Sequence, residues 1–301
     1  ITGDAANNIY ITGIFRGTVD FDPGPDSLII PAIRGWGDVF IVKLNASGNL
    51  IWAKTLAGGF DGTGKSILCD AQANIYVSGF FTGTTDFNPG PGTFNMTHPG
   101  TSTNQDAFIV KLDSAGNFRW AIQFGNTSDD RANNSCLASS GHIYTIGQFR
   151  GTVDFDPGPG TFNLTSNGSG AEDVFVSKLD TAGNFVWAKN IGGPLIDYGY
   201  GIAVDGAGNV FITGEFEGTV DFDPGSGNTS HTAVGQSDIF VSKWNSSGNF
   251  QWGHSFGNQY EDAGHAMTTD ASGNLYYTGT FSDAIDFDPG SGIRTLQGGF
   301  S

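Results

Sequence analysis

The chain has 301 residues, long enough for one large domain or two ordinary ones, and Gly supplies 47 of them. Only 14% of residues are charged while 13% are aromatic, which excludes a long helix, a coiled coil or a disordered chain. The net charge of −17 argues against binding a phosphate backbone, and no apolar run reaches the length of a membrane span.

The chain opens at Ile1 in mid-pattern, as a segment of something longer would. The first signature met along it is Phe21-Asp22-Pro23-Gly24, and Phe-Asp/Asn-Pro-Gly then returns with Phe at 87, 155, 222 and 287. A second anchor, Asp-x-Phe-Ile/Val-x-Lys, starts at Asp38, Asp106, Asp173 and Asp238. A third, Gly-Asn-Leu/Phe-x-Trp, ends at Trp52, Trp120, Trp187 and Trp252. All three share a period of about 67 residues, so the chain divides into copies at 1–60, 61–128, 129–195, 196–260 and an incomplete 261–301.

The fourth copy shows the elements most clearly. Strand A is predicted over 202–205 and strand B over 210–213, joined by a tight Gly-Asn turn. An insertion carrying Phe222-Asp223-Pro224-Gly225 follows, then strand C over 238–244, a second tight turn over 245–249, and strand D through Trp252. Glycine supplies positive φ in these turns, and the Asp or Asn that opens each can bond its own backbone. Nothing has a helical period. The expected fold is therefore all-β: a β-propeller of tandem four-stranded antiparallel blades, four full blades plus a half blade. On that count the fifth blade lacks its outer strands, which invites self-association through its open edge. Cys69 and Cys136 are too few for a disulfide framework and read as free thiols.

Two stretches make the pattern specific. They are Gly201-Ile-Ala-Val-Asp205 through Asn209-Val-Phe-Ile-Thr-Gly214, and Asp173-Val-Phe-Val-Ser-Lys-Leu-Asp180 with Gly183-Asn-Phe-Val-Trp187. They resemble the SBBP family of bacterial β-propeller repeats and, more distantly, NHL repeats. The resemblance covers essentially the whole chain and departs from the family in the long B–C insertion. It implies a secreted or cell-surface bacterial protein of modular build, with no common enzymatic activity.

Most chemistry-bearing residues fall into repeat register and read as structure. The Asp-Phe-Asp pairs place two carboxylates on one face of an extended chain: Asp20 with Asp22, Asp154 with Asp156, Asp221 with Asp223 and Asp286 with Asp288, and Asp86 with Asn88 in the second copy. Such oxygens beside a glycine turn suit Ca²⁺. The competing reading is that Asp-Pro-Gly only shapes a turn while the first Asp pairs with a strand C Lys (Lys43, Lys111, Lys178 or Lys243). Four residues break the repeat and are the binding candidates: Trp36 in an insertion, and Lys65, Arg131 and Glu261 near the D–A connections. Ser114 and Thr181, in Asp-Ser/Thr-apolar turns, are candidate modification sites. No zinc spacing, nucleophile elbow or phosphate loop is found, and no cofactor is otherwise implied. The expectation is a non-catalytic scaffold or binding module, taking a glycan or protein through the B–C insertions and D–A loops. The alternatives are a filament, sheath or adhesin-stalk subunit, and a carbohydrate-active enzyme on the loop face.

Overall fold

The computed structural model describes residues 1–33, 36–59, 61–101 and 103–299. It is all-β, and none of its elements is long and apolar enough to be a membrane-crossing helix. The chain forms two compact units, Ile1–Leu137 and Ala138–Ser301.

The first unit contains β1 (Thr2–Gly3), β2 (Ile9–Phe15), β3 (Thr18–Asp20), β4 (Ile29–Pro31), β5 (Asp38–Leu44) and β6 (Leu50–Leu56). It continues with β7 (Gly62–Cys69), β8 (Ile75–Thr82), β9 (Thr84–Asp86), β10 (Asn95–Thr97), β11 (Gln105–Leu112), β12 (Phe118–Phe124) and β13 (Arg131–Leu137). Strands β1-β2-β5-β6 and β7-β8-β11-β12 form two open four-stranded antiparallel sheets, each in the predicted A-B-C-D order.

The second unit holds β14 (His142–Arg150), β15 (Thr152–Asp154), β16 (Asn163–Thr165), β17 (Glu172–Asp180) and β18 (Phe185–Ile191). The fourth repeat supplies β19 (Asp197–Val204), β20 (Val210–Phe216), β21 (Thr219–Asp221), β22 (Ser230–Thr232), β23 (Asp238–Trp244) and β24 (Phe250–Phe256). The fifth gives β25 (Ala263–Thr269), β26 (Leu275–Thr280), β27 (Ala284–Asp286) and β28 (Thr295–Gln297). Strands β19-β20-β23-β24 repeat the four-stranded order, and β25 pairs with β26.

Strand C starts at Asp238 as predicted. Strand A does not start at Ile202. It begins at Asp197 and runs through Tyr198-Gly199-Tyr200, a glycine-rich stretch that looks like connection but is held in register by a β-bulge between Gly199 and Gly201. The same bulge recurs at Gly64/Ser66 and Gly264/Ala266. The insertion also differs from expectation. In every repeat it contains a small hairpin of two three-residue strands: β3/β4, β9/β10, β15/β16, β21/β22 and β27/β28.

The repeated phenylalanines explain how that hairpin is anchored. Phe155 of Phe-Asp-Pro-Gly meets Phe149 of strand B edge-on at 5.5 Å and Phe175 of strand C at 4.9 Å. Phe87 contacts Phe81 and Phe108 in the same way, as Phe222 does Phe216 and Phe240. Three motifs far apart in each repeat thus converge on one buried aromatic cluster, a packing that adds about 0.5–1.5 kcal/mol per ring pair beyond area burial.

A second layer holds neighbouring repeats together. Lys43 lies opposite Tyr10 on one side and Trp52 on the other, with its ammonium 5.0 Å from the Tyr10 ring centre. Lys43 Nζ and Trp52 Nε1 both donate to the Ser114 carbonyl in the C–D turn of the next repeat, at 3.1 and 3.3 Å. In the second unit Lys178 and Trp187 grip the Ser246 carbonyl at 2.9 and 3.2 Å. Lys43 and Lys178 are therefore clamps between repeats.

Candidate functional site

The Asp-Phe-Asp pairs shape the turn, and among the described residues the expected pairing of the first Asp with the strand C Lys is not found. Asp154 Oδ1 accepts the backbone N–H groups of Asp156 and Phe162, stapling both ends of the insertion loop. Asp156 Oδ1 accepts the N–H of Gly158. Asp20 and Asp22 repeat the pattern, as do Asp86 with Asn88 and Asp221 with Asp223.

The fifth copy makes its turn in the same way. Asp286 Oδ1 accepts the N–H groups of Asp288 and Arg294, at 3.0 and 2.7 Å. Asp288, expected as the second ligand of that pair, caps its own turn: its Oδ1 accepts the Gly290 N–H at 2.8 Å. The Oδ2 of Asp288 fills the space a side chain would need at Gly292. Local N–H donors reach one oxygen of each pair member at no cost in chain ordering beyond the turn itself, whereas Lys43 and Lys178 are committed to a ring and a next-repeat carbonyl. Among the described residues no three His, Cys, Asp or Glu side chains gather as a metal cluster, at Asp288 or at the earlier pairs.

Two ends of each repeat can be told apart. At one end the tight turns are Asx turns, except the A–B turn of the third repeat, which opens with Ala138 and closes by backbone bonds. Asp205 Oδ1 accepts the N–H groups of Ala207 and Asn209, and its Oδ2 accepts Asn209 Nδ2. At the other end the D–A connection meets the flanks of the B–C insertion. His98, buried, receives the Gly100 N–H on Nδ1 and faces the Ser128 carbonyl with Nε2 at 3.2 Å, tying insertion to connection. Asn167 does the same in the third repeat, reaching Asp173 and the Gly192 carbonyl. The tip of the insertion, however, is not at this end. Phe94 packs on Phe118 and Phe162 on Phe185, both at the start of strand D, so the hairpin folds back along strand D.

Under its connection, strand C of the second, third and fourth repeats carries a buried carboxylate. Asp106, Asp173 and Asp238 each leave Oδ1 without a hydrogen bond and fill the space a side chain would need at Gly125, Gly192 and Gly257. Burial pushes Asp106 up to about 8, with Asp130 adding repulsion, and Asp173 up to about 7. Asp238 rises to about 6 by burial and the nearby Asp262, and Asp197 to about 8 chiefly by burial.

Lys65 and Arg131, chosen only because they break the repeat, are brought together. Lys65 sits at the strand A bulge of the second repeat and Arg131 at the start of β13, and both lie over the Phe80 ring, at 5.6 and 5.4 Å. Arg131 Nε donates to Gln105. Trp36 is 66% exposed at the end of the first insertion, its carbonyl accepting Arg16 Nε at 2.6 Å. Arg34 and Gly35 beside it lie outside the described residues. Ser114 is exposed and Thr181 half-buried, each in its C–D turn.

Glu261 is in the second unit and lines a cleft of about 530 Å³ with Glu215, Glu217, Tyr198, Gln236 and Ser237. An adjoining depression of about 470 Å³ shares Glu215 and Glu261 and adds His265 and Thr280. Glu215 is fixed by two donors, Tyr200 Oη at 2.8 Å and Ser237 Oγ at 3.1 Å. The Tyr200 and His265 rings are 5.8 Å apart. Glu215 was not among the sequence candidates. It occupies the middle of Gly-x-Phe, where the other repeats carry Ile14, Phe80, Gln148 and Thr280. That variability was the available signal. Phe80 and Glu215 are equivalent positions, as are Lys65, Tyr200 and His265 at the bulge, so one location is built on a cation-flanked ring in the second repeat and on carboxylates in the fourth.

Tandem four-stranded antiparallel sheets joined by clamps from repeat to repeat define a propeller-like repeat protein. Residues 186–215, from strand D of the third repeat through strand B of the fourth, match the SBBP beta-propeller repeat model, in the stretch where the motifs carry the resemblance. The chain is 26% identical over 230 residues to an uncharacterised WD repeat-containing protein of Acanthamoeba polyphaga mimivirus, covering 68% of this chain and 16% of that protein. It is 24% identical over 188 residues to the regulatory protein FlaEY of Caulobacter vibrioides, covering 61% of this chain and 18% of FlaEY. The chain thus spans under a fifth of either curated relative. A solved protein of unknown function from Bacteroides caccae aligns over 81% of this chain and 93% of its own, at 13% identity and a TM-score of 0.23.

Proposed function

We propose that this chain is a non-catalytic binding module of a secreted or cell-surface bacterial protein. Its repeats act as the scaffold, and its protein or glycan partner is held at the end where D–A connections and insertion flanks meet. One observation carries the reading. The repeat-breaking residues stand at this end of their own repeats, Lys65 and Arg131 in the first unit and Glu215 and Glu261 in the second, while at the opposite end all tight turns but the A–B turn of the third repeat are self-satisfied Asx turns. A scaffold keeps what folding needs and varies what a ligand touches. The WD repeat name of one relative is in keeping with a binding role.

The test is selection of ligands for the labelled chain from a glycan array and a displayed peptide library, followed by two variants. Replacing Lys65, Arg131 and Glu261 together by Ala is expected to abolish binding of the selected ligand. Replacing Ser47 and Ser247, in the tight turns, by Ala is expected to leave it intact. Loss in the turn variant and retention in the other would overturn the proposal.

A further inference from the structure

The cleft in the second unit has a composition that selects its occupant. Its rim carries two apolar side chains left in solvent, Leu195 and Ile196, which are 48% and 38% exposed. Tyr198, Glu215, Glu217 and Glu261 line it as well. Among the described residues none of these three carboxylates makes an ion pair. Glu215 cannot swing away to find water freely, because Tyr200 and Ser237 hold both its oxygens.

An occupant must therefore offer an apolar stem to the aliphatic rim and a cation to the carboxylates. Lysine and arginine side chains have that construction, a run of methylenes ending in a charge. The Tyr198 ring and, beyond Glu215, the Tyr200 and His265 pair offer further faces to a cation. The −17 charge of the whole chain acts in the same direction, raising the local concentration of cations around an acidic cleft. A neutral glycan would use the ring but leave three carboxylates uncompensated, and an acidic one would be repelled.

We infer that this cleft binds a lysine or arginine side chain presented by a partner polypeptide. The inference rests on the binding-module reading and gives the chemistry of one of its contacts.

The probes are the pentapeptides Gly-Gly-Lys-Gly-Gly and Gly-Gly-Arg-Gly-Gly, with norleucine and citrulline versions as neutral isosteres, titrated by NMR or calorimetry. The Lys and Arg peptides are expected to bind, more weakly by several-fold as salt rises from about 0.05 to 0.5 M. Glu217→Gln with Glu261→Gln, both outside the Tyr200–Ser237 hydrogen bonds, is expected to weaken binding about tenfold, roughly the loss of one to two partly exposed charge pairs. Equal binding of the norleucine peptide, equal binding by the double variant, or no binding to the unaltered chain would overturn the inference. Failure of the module reading is separable. If the ligand selected from the array or library still depends on Lys65 and Arg131 while the double variant binds it normally, the module stands and this cleft is not its cation site.

Discussion

The tight turns contain their own experiment on backbone strain. The fourth residue of each Asx turn sits at positive φ, and in most it is glycine: Gly48 at +82°, Gly116 at +78°, Gly208 at +83° and Gly273 at +81°. In the second repeat the position is Ala73, at +58°. Its N–H still bonds the Asp70 carbonyl at 2.9 Å, so the turn is made and the side chain bears the strain. A left-handed L-residue costs about 1–2 kcal/mol, and glycine returns about 0.4–1 kcal/mol of that as extra freedom in the unfolded chain. Ala73→Gly is therefore expected to stabilise the protein by about 0.5–1 kcal/mol. Gly48→Ala is the mirror case, since a methyl there would meet nothing within 4 Å, and it should destabilise by a similar amount. Gly116→Ala should cost more, because its methyl would lie 3.0 Å from Lys54 Cε and 3.4 Å from Trp52, inside the inter-repeat clamp. Urea unfolding followed by tryptophan fluorescence, with unchanged slope as the check on mechanism, reads all three. An Ala73→Gly protein no more stable than the parent, or a Gly48→Ala change larger than Gly116→Ala, would refute the reasoning.

Stability should fall as pH rises from about 5 to 8. Asp106, Asp173, Asp197 and Asp238 have raised values in the fold, so the native state holds protons that the unfolded chain releases above its ordinary carboxylate range. The stability they supply is full below that range and drains away through about 6 to 8. The turn aspartates act oppositely: Asp4, lowered to about 2 by bonds from Asn8, Tyr10 and Ala6 that outweigh its desolvation, loses its contribution only in strong acid. Asp173→Asn keeps an acceptor for the donors on Oδ2 and should flatten the slope between pH 5 and 8. Thermal melts across pH check this, and an unaltered slope in that variant would contradict it. Millimolar Ca²⁺ against chelator should leave the melting temperature unchanged, because one oxygen of each Asp-Phe-Asp carboxylate, from Asp20 to Asp288, already receives a backbone donor; a rise of several degrees would favour the metal reading. Native material should carry added hexose mass at Ser114 or Thr181, and an intact mass equal to the bare chain would remove that proposal.

The all-β class, the order of strands in a repeat and the start of strand C were legible because three motifs recur in register and each has a local cause. The aromatic clusters were legible as core but not as anchors, since which phenylalanines meet depends on where the insertion folds. The small hairpins were missed because three residues such as Thr219–Asp221 are too short for alternation to be distinguished from loop. The early start of strand A was missed because Tyr198-Gly199-Tyr200-Gly201 reads as punctuation until the bulge accounts for it. Lys65, Arg131 and Glu261 were found as departures from the repeat. Their partners were not, because Phe80 looks like core and Glu215 like surface until the bulge and the next repeat close around them.

That asymmetry follows from how a repeat uses its residues. Each clamp, turn and aromatic cluster must be made again in every copy, so any residue serving it is held to one chemistry. The centre of Gly-x-Phe and the bulge position of strand A serve none of these. In the second repeat they carry a ring and a lysine, and in the fourth a carboxylate and a tyrosine. Neither combination could be exchanged for the other in a packed core, where a buried unpaired carboxylate costs several kcal/mol. They differ between copies because neither position is committed to a clamp, a turn or an aromatic cluster, and each finds its own local partner: the Phe80 ring lies under Lys65 and Arg131, and Glu215 accepts from Tyr200 and Ser237. The fold thus leaves the same two positions uncommitted in the second and fourth repeats, and the charge placed on them differs between copies.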